Sequence, residues 1–309
     1  MKPTLHEHAS ACAKVILFGE HAVVHGQPAL AAGLPGAVKL HAQPLGDARA
    51  PLRISIPAWD LELSLVPGDE HPVARACAEV LAHCDGPLQG WHVTGEATIP
   101  ARAGLGSSAA LTVSLARLAL GPDAAITDVV EASMVGERVF HGTPSGIDSE
   151  VAARGGVLRF VRGSAPQTVS VPQPVRLVVV PSGVARSTAD QVARVHRAIE
   201  RWPLLARPLV EVLGRTAEQG EHALVAGDTA RLGELSDLAH GVLAALGVSC
   251  AALDELCHVA RAAGASGAKL TGAGGGGCMI AWPHGSDDEA LVAAFARRGL
   301  VPLRLEVGA

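Results

Sequence analysis

Tyrosine is absent from this chain, and only four phenylalanines and four tryptophans occur among its 309 residues, so a phenol is excluded from any ligand pocket. The six cysteines, Cys12, Cys77, Cys84, Cys250, Cys257 and Cys278, include no Cys-x-x-Cys pair, and cysteine and histidine do not cluster at zinc spacing. That pattern excludes a sequence-coded zinc site and leaves reduced thiols, mostly core filler. The opening MKPTLHEHAS has no apolar h-region, so no signal peptide is expected. An uninterrupted apolar run of about 18 residues is also missing, and with it any expected bilayer span. Neither a basic run nor a Lys/Arg-rich helix face offsets the formal net charge of -5, which argues against a general nucleic-acid or membrane-surface binder. There is no repeat of 20 to 50 residues and no low-complexity tail. A soluble, cytoplasmic protein is expected.

What is present is an ordinary globular composition, 49% hydrophobic and 18% charged. The length suits two domains, each able to bury a core. Strands are predicted over 11–18, 37–44, 52–56, 61–65 and 90–99, and helices over 72–84 and from Thr127, a candidate N-cap, to Val139. The stretch at 141–152, HGTPSGIDSEVA, reads as a loop presenting Asp148. Strands at 156–161 and 175–181 bracket a Pro-, Ser- and Gln-containing segment, the expected boundary between domains at 1–170 and 171–309. Residues 187–263 have helical spacing with breaks at Trp202-Pro203, Gly227-Asp228 and Gly247. Strands at 267–270, 278–283 and 302–307 and a helix near 287–297 complete the chain.

Two glycine stretches carry the functional signal. PARAGLGSSAALTVSLARLAL at 100–120 is a glycine turn feeding an apolar helix. Helix starts hold unpaired N–H groups, and Gly104 and Gly106 let the backbone approach an anion such as a polyphosphate. The alternative is a helix N-cap by Ser107 after a tight turn. GAGGGG at 272–277 satisfies GxGxxG formally, but it leads into the strand CMIAW where the dinucleotide motif needs a helix. A GxxxxGK[ST] sequence does not occur, which removes the P-loop kinases.

Four blocks in order, KVILFGEHAVVHG at 14–26, PARAGLGSSAA at 100–110, GERVFHGTPSGIDSEVA at 136–152 and KLTGAGGGGCMIA at 269–281, resemble the motifs of the GHMP small-molecule kinases across nearly the whole chain. The resemblance implies an α+β, two-domain GHMP kinase fold, with an N-terminal ribosomal-protein-S5-like domain, a C-terminal ferredoxin-like domain and the active site in the cleft between them. It implies transfer of the γ-phosphoryl of ATP, with magnesium, to the C5 hydroxyl of mevalonate in isoprenoid biosynthesis. Phosphomevalonate is the alternative acceptor, and a non-catalytic sensor on the same fold is the alternative class. The galactose-specific opening GRxNxxGEHxDY is not matched past GEH. Partners implied are the small-molecule substrate and ATP, with a homodimer as the family's frequent assembly.

By the same resemblance, Gly104, Leu105, Gly106, Ser107, Ser108 and Ala109 wrap the phosphates. Ser108 and Glu137 are the magnesium ligands, hard oxygens of the kind that ion takes. Ser107 competes with Ser108 for that role, and for Glu137 the bland reading is a solvated helix carboxylate beside Arg138. Asp148 matches the catalytic base and Lys14 its cationic partner; a lysine in such a strand otherwise snorkels to solvent. Glu20, His21, Arg186, Thr188 and Gly274 match positions near the acceptor. For Arg186 the competing reading is a solvated side chain next to a helix capped by Ser187. The chain departs from the family where Ala11-Cys12-Ala13-Lys14 replaces APGK, and Leu111 follows GLGSSAA where relatives often hold an aromatic.

Overall fold

The computed structural model describes residues 3–101, 103–285 and 287–308; Arg102, within the first glycine stretch, lies outside the described residues. Along the chain run β1 (His8–Phe18), β2 (Ala29–Pro44), β3 (Arg53–Ile56), β4 (Leu61–Ser64), α1 (Pro72–His83), β5 (Trp91–Ala97), α2 (Ser107–Leu120), α3 (Ile126–His141), α4 (Ile147–Arg154), β6 (Val157–Phe160), β7 (Gln167–Val169), β8 (Val175–Pro181), α5 (Thr188–Arg201), α6 (Pro203–Val225), α7 (Thr229–Ala245), α8 (Ala251–Ala262), β9 (Gly267–Thr271), β10 (Cys278–Trp282), α9 (Glu289–Ala296) and β11 (Leu303–Val307). They form two compact units, one of residues 1–14 and 33–155, the other of residues 15–32 and 156–309. Among the described residues, no helix is long and apolar enough to cross a membrane.

In the first unit, β4 pairs antiparallel with β3, β3 parallel with β5, and β5 antiparallel with the Val38–Pro44 part of β2. Alternation along β2 and β3 turns Val38, Leu40, Ala42, Ile54 and Ile56 into a core completed by Val80 and Leu81 of α1 and by Leu111, Leu115 and Leu118 of α2. Each fully buried leucine there contributes roughly 1.5–3 kcal/mol. Helices α2 and α3 approach closely because Gly136 carries no side chain: a Cβ would lie 2.6 Å from Thr112 Cγ2 and 2.9 Å from Val80 Cγ2.

In the second unit, β11, β8, β10 and β9 form an antiparallel sheet in that order, and α7 and α8 pack on β9. Val178, Val180, Leu270 and Met279 of the sheet meet Leu213, Leu243, Leu253 and Cys257 of the helices in one core. The N-terminal part of β2, Ala29–Ala32, pairs antiparallel with β6, and β6 with β7. The helix breaks fall where proline or glycine stops the backbone ladder: α5 ends before Pro203, which opens α6, and α7 starts after Gly227 with Asp228 accepting from Arg231 N–H.

Two local expectations are corrected. Asp148 lies not in a loop but in the first turn of α4, which starts after Gly146 in a left-handed conformation. The turn residues end there, and IDSEVAAR then has helical spacing, with Ile147 and Val151 buried and Glu150 paired to Arg154 at 2.7 Å. Thr127 does not cap α3; Ala125 holds the cap position, and the Thr127 hydroxyl donates to Asp128 instead, at 3.3 Å.

Candidate active site

In the first unit the glycine turn ends at Gly106, whose left-handed backbone (φ 74°) holds the cap position of α2. Ser107 is therefore the first helical residue and not the cap. β1 runs alongside: Lys14 N–H donates to Leu105 C=O at 2.8 Å, and a Cβ on Gly106 would lie 3.2 Å from Lys14 Cβ. The helix thus begins against the backbone of Lys14, with its first-turn N–H groups, which have no acceptor within the helix itself, at the turn.

Lys14 does not snorkel. It is 6% exposed, and its Nζ lies 2.9 Å from Asp148 Oδ1, whose side chain is 30% exposed. An ammonium held in the fold thus meets a carboxylate that still reaches solvent. Glu137 is 1% exposed on α3, so the solvated reading fails for it. Burial, then the negative charge of Asp148, pushes its carboxyl up to about 8, against a hydrogen bond from Ser108 and the charge of Lys14. Its Oε1 is buried and, among the described residues, has no hydrogen-bond partner, while His141 Nε2 lies 3.6 Å from Oε2. An enclosed carboxyl of this kind, beside a serine hydroxyl, fits a small hard cation that takes the place of its proton.

Glu7, His8 and His41 also come together in the first unit. His41 is engaged at both nitrogens, Nδ1 3.1 Å from Glu7 C=O and Nε2 2.6 Å from the Gln43 amide. Its Nδ1–H donates and its Nε2 accepts, which leaves no ring lone pair for a metal.

In the second unit, GEH follows β1 with Gly19 and His21 both at positive φ (88° and 60°). His21 Nε2–H donates to Ala273 C=O at 2.8 Å, and burial holds the imidazole down at about 4, so it is neutral at physiological pH. Glu20 is enclosed with Lys269, and the two form an ion pair with no side-chain exposure on either partner. Lys269 also sits over the Phe18 ring, 5.7 Å from its centroid. The sequence assigns Lys269 no role; the signal is a lysine in the middle of the short strand GAKLT, all of whose residues are buried. Thr271 Oγ1 donates to Ile16 C=O at 2.8 Å, a further tie between this strand and β1.

Arg186 is half-buried, not solvated. Its guanidinium lies over the second glycine stretch, where a Cβ on Gly272 would come 2.8 Å from Nη2 and one on Gly277 3.0 Å from Nε. Gly274 is backed by Val248 C=O, which leaves no room for a side chain. Ser187 caps α5, its Oγ accepting from Asp190 N–H at 3.2 Å, and Thr188, the first residue of that helix, is exposed.

Comparison with known proteins gives consistent matches. Residues 72–156 match the GHMP kinases N terminal domain and residues 221–300 the GHMP kinases C terminal domain. The chain is 36% identical to a mevalonate kinase of Pyrococcus horikoshii, over 94% of this chain and 93% of that one. It is 32% identical to one of Bos taurus, over 88% and 84% respectively. The crystal structure of L. major mevalonate kinase in complex with R-mevalonate superposes with a TM-score of 0.86 at 28% identity, covering 100% of this chain and 98% of that one.

Proposed function

The chain belongs to the GHMP kinases and to their mevalonate kinase family, and from that premise we propose that it transfers the γ-phosphoryl of ATP to the C5 hydroxyl of mevalonate. The observation that carries the proposal is the Lys14–Asp148 pair at 2.9 Å, set beside Glu137 and Ser108 at the start of a glycine-turn helix.

Phosphoryl transfer needs positioned groups and neutralised charge more than covalent chemistry. Residues 104–109 would cradle the phosphates through backbone N–H groups. Ser108 and Glu137 would hold magnesium, which when bound neutralises phosphate charge; the buried Oε1 of Glu137, without a hydrogen-bond partner among the described residues, supports that fit. Asp148 would accept the hydrogen bond of the C5 hydroxyl and take its proton as the oxygen–phosphorus bond forms and ADP leaves. Lys14 stabilises the Asp148 carboxylate and the charge that develops on the attacking oxygen. On the acceptor side, the mevalonate carboxylate requires a cation, and Arg186 offers one, with His21, Thr188 and the Gly274 backbone around it. Glu20 acts from inside the fold, through the loop that carries His21. A cytoplasmic homodimer is the assembly this reading includes, and sedimentation velocity checks it.

The test offers the purified protein, with ATP and magnesium, mevalonate, phosphomevalonate, galactose and homoserine in turn, following ADP release. Mevalonate is expected to give turnover well above the ATPase background. Background rates with mevalonate, or a preference for phosphomevalonate, would overturn the proposal.

A further inference from the structure

Three hydroxyls sit in the interior of the first unit where α2, α3 and α4 meet: Thr112 and Ser133 have no exposure and Ser149 is 1% exposed. Ser149 Oγ lies 2.9 Å from Ser133 Oγ, and Ser133 Oγ 2.8 Å from Thr112 Oγ1. Thr112 Oγ1 donates to the backbone carbonyls of its own helix, Ser108 C=O at 3.1 Å and Ala109 C=O at 3.2 Å. A hydroxyl has one proton to give. Since that of Thr112 goes to its own helix, Ser133 must donate to Thr112, and Ser149 to Ser133. The chain is therefore directional, running from α4 through α3 to the first turn of α2, and each bond polarises the next.

The positions at which it touches each helix are those that matter for the site. Ser149 follows Asp148 directly; Ser133 lies one turn before Glu137 on α3, and Thr112 bonds to the carbonyl of Ser108. Gly136, between Ser133 and Glu137, lets α3 come close enough to α2 for the link to form. Stability alone does not call for these hydroxyls, because apolar groups of the same shape in place of all the partners would be close to neutral. We infer that the Ser149–Ser133–Thr112 chain is a positioning device that fixes the spacing of Asp148, Glu137 and Ser108, with Ser133 as its central member. This rests on the roles proposed above for those three residues.

The test compares wild type with Ser133→Ala, Ser149→Ala and the triple variant T112V/S133A/S149A, measuring kcat, KM for mevalonate and melting temperature. Misplacement of about 1 Å costs up to a hundredfold in rate. Ser133→Ala is expected to lower kcat at least about tenfold with KM for mevalonate little changed. The triple variant, with no stranded hydroxyl, is expected to melt near wild type while its kcat stays low. Ser149→Ala, which leaves the Ser133–Thr112 bond intact and so is the variant surest to fold, is expected to lose kcat in the same direction. Recovery of kcat together with melting temperature in the triple variant, or wild-type kcat in Ser133→Ala or Ser149→Ala, would overturn the inference alone. A wild type without turnover on mevalonate would overturn the functional reading and this inference with it.

Discussion

A lysine with no exposed surface is costly, and the cost is recovered only by its partner. Lys269 and Glu20 hold each other in the interior of the second unit, so Lys269→Met is expected to lose about 3–5 kcal/mol in chemical denaturation, because a buried carboxylate loses its cation. The double variant E20Q/K269M should recover most of that loss; if it is no more stable than Lys269→Met alone, the pair is not what holds the region. His21 gives a pH signature. Its folded-state value of about 4 lies below the ordinary 6.5, so between those pH values the unfolded chain binds the extra proton and stability falls as pH falls. The full difference is about 3 kcal/mol. Denaturation at pH 7 and pH 4 should show it, and His21→Asn should flatten that part of the profile. At this scale the sequence exposed Lys14 and Asp148, through motif position, but not Lys269. A lysine in a short apolar strand reads the same whether it snorkels or is paired, since the partner lies 249 residues away.

Among the elements, helix positions were legible wherever apolar spacing persisted for several turns. The breaks at Trp202-Pro203, Gly227-Asp228 and Gly247 fall where the sequence has them. α4 was missed because its eight residues follow four turn formers, and so short a segment offers little periodicity. β7, three residues long, was missed for the same reason. The start of α3 was misjudged because a threonine near the right place suggested a cap that the backbone does not use. The hydroxyl chain was invisible, since serine and threonine in a helix give no periodic signal and their partners are set by tertiary packing. Close approach of α2 and α3 makes a clear prediction. Gly136→Ala, though favourable for an isolated helix, is expected to destabilise by about 1–3 kcal/mol, because Thr112 is stiff at χ1 and cannot yield. A thermal melt that rises instead would show that the helices separate without cost.

For the whole molecule, four motifs spread from residue 14 to residue 281 carried the fold and the family before any coordinates, because each ties glycine turns to fixed positions in the chain and three of them add polar side chains with assigned roles. The arrangement within each unit was less legible. β1 and β2 each run through both units, so no single cut of the chain separates them. In the first unit, Lys14 from β1 is brought to Asp148 from α4, residues 134 positions apart along the chain (148 minus 14), and Glu137 is enclosed beside them. The second unit holds the ion pair and the arginine over its glycines. The division of work proposed here places phosphoryl transfer on Asp148, and the measurement that bears on it most directly is the kinetics of Asp148→Asn, with ATP binding followed in parallel. Asparagine keeps the shape and loses the basic oxygen, so kcat on mevalonate is expected to fall by about 10²–10⁴-fold while ATP affinity stays near wild type. Turnover at the wild-type rate would contradict the role of Asp148 and, with it, the central reading of the site.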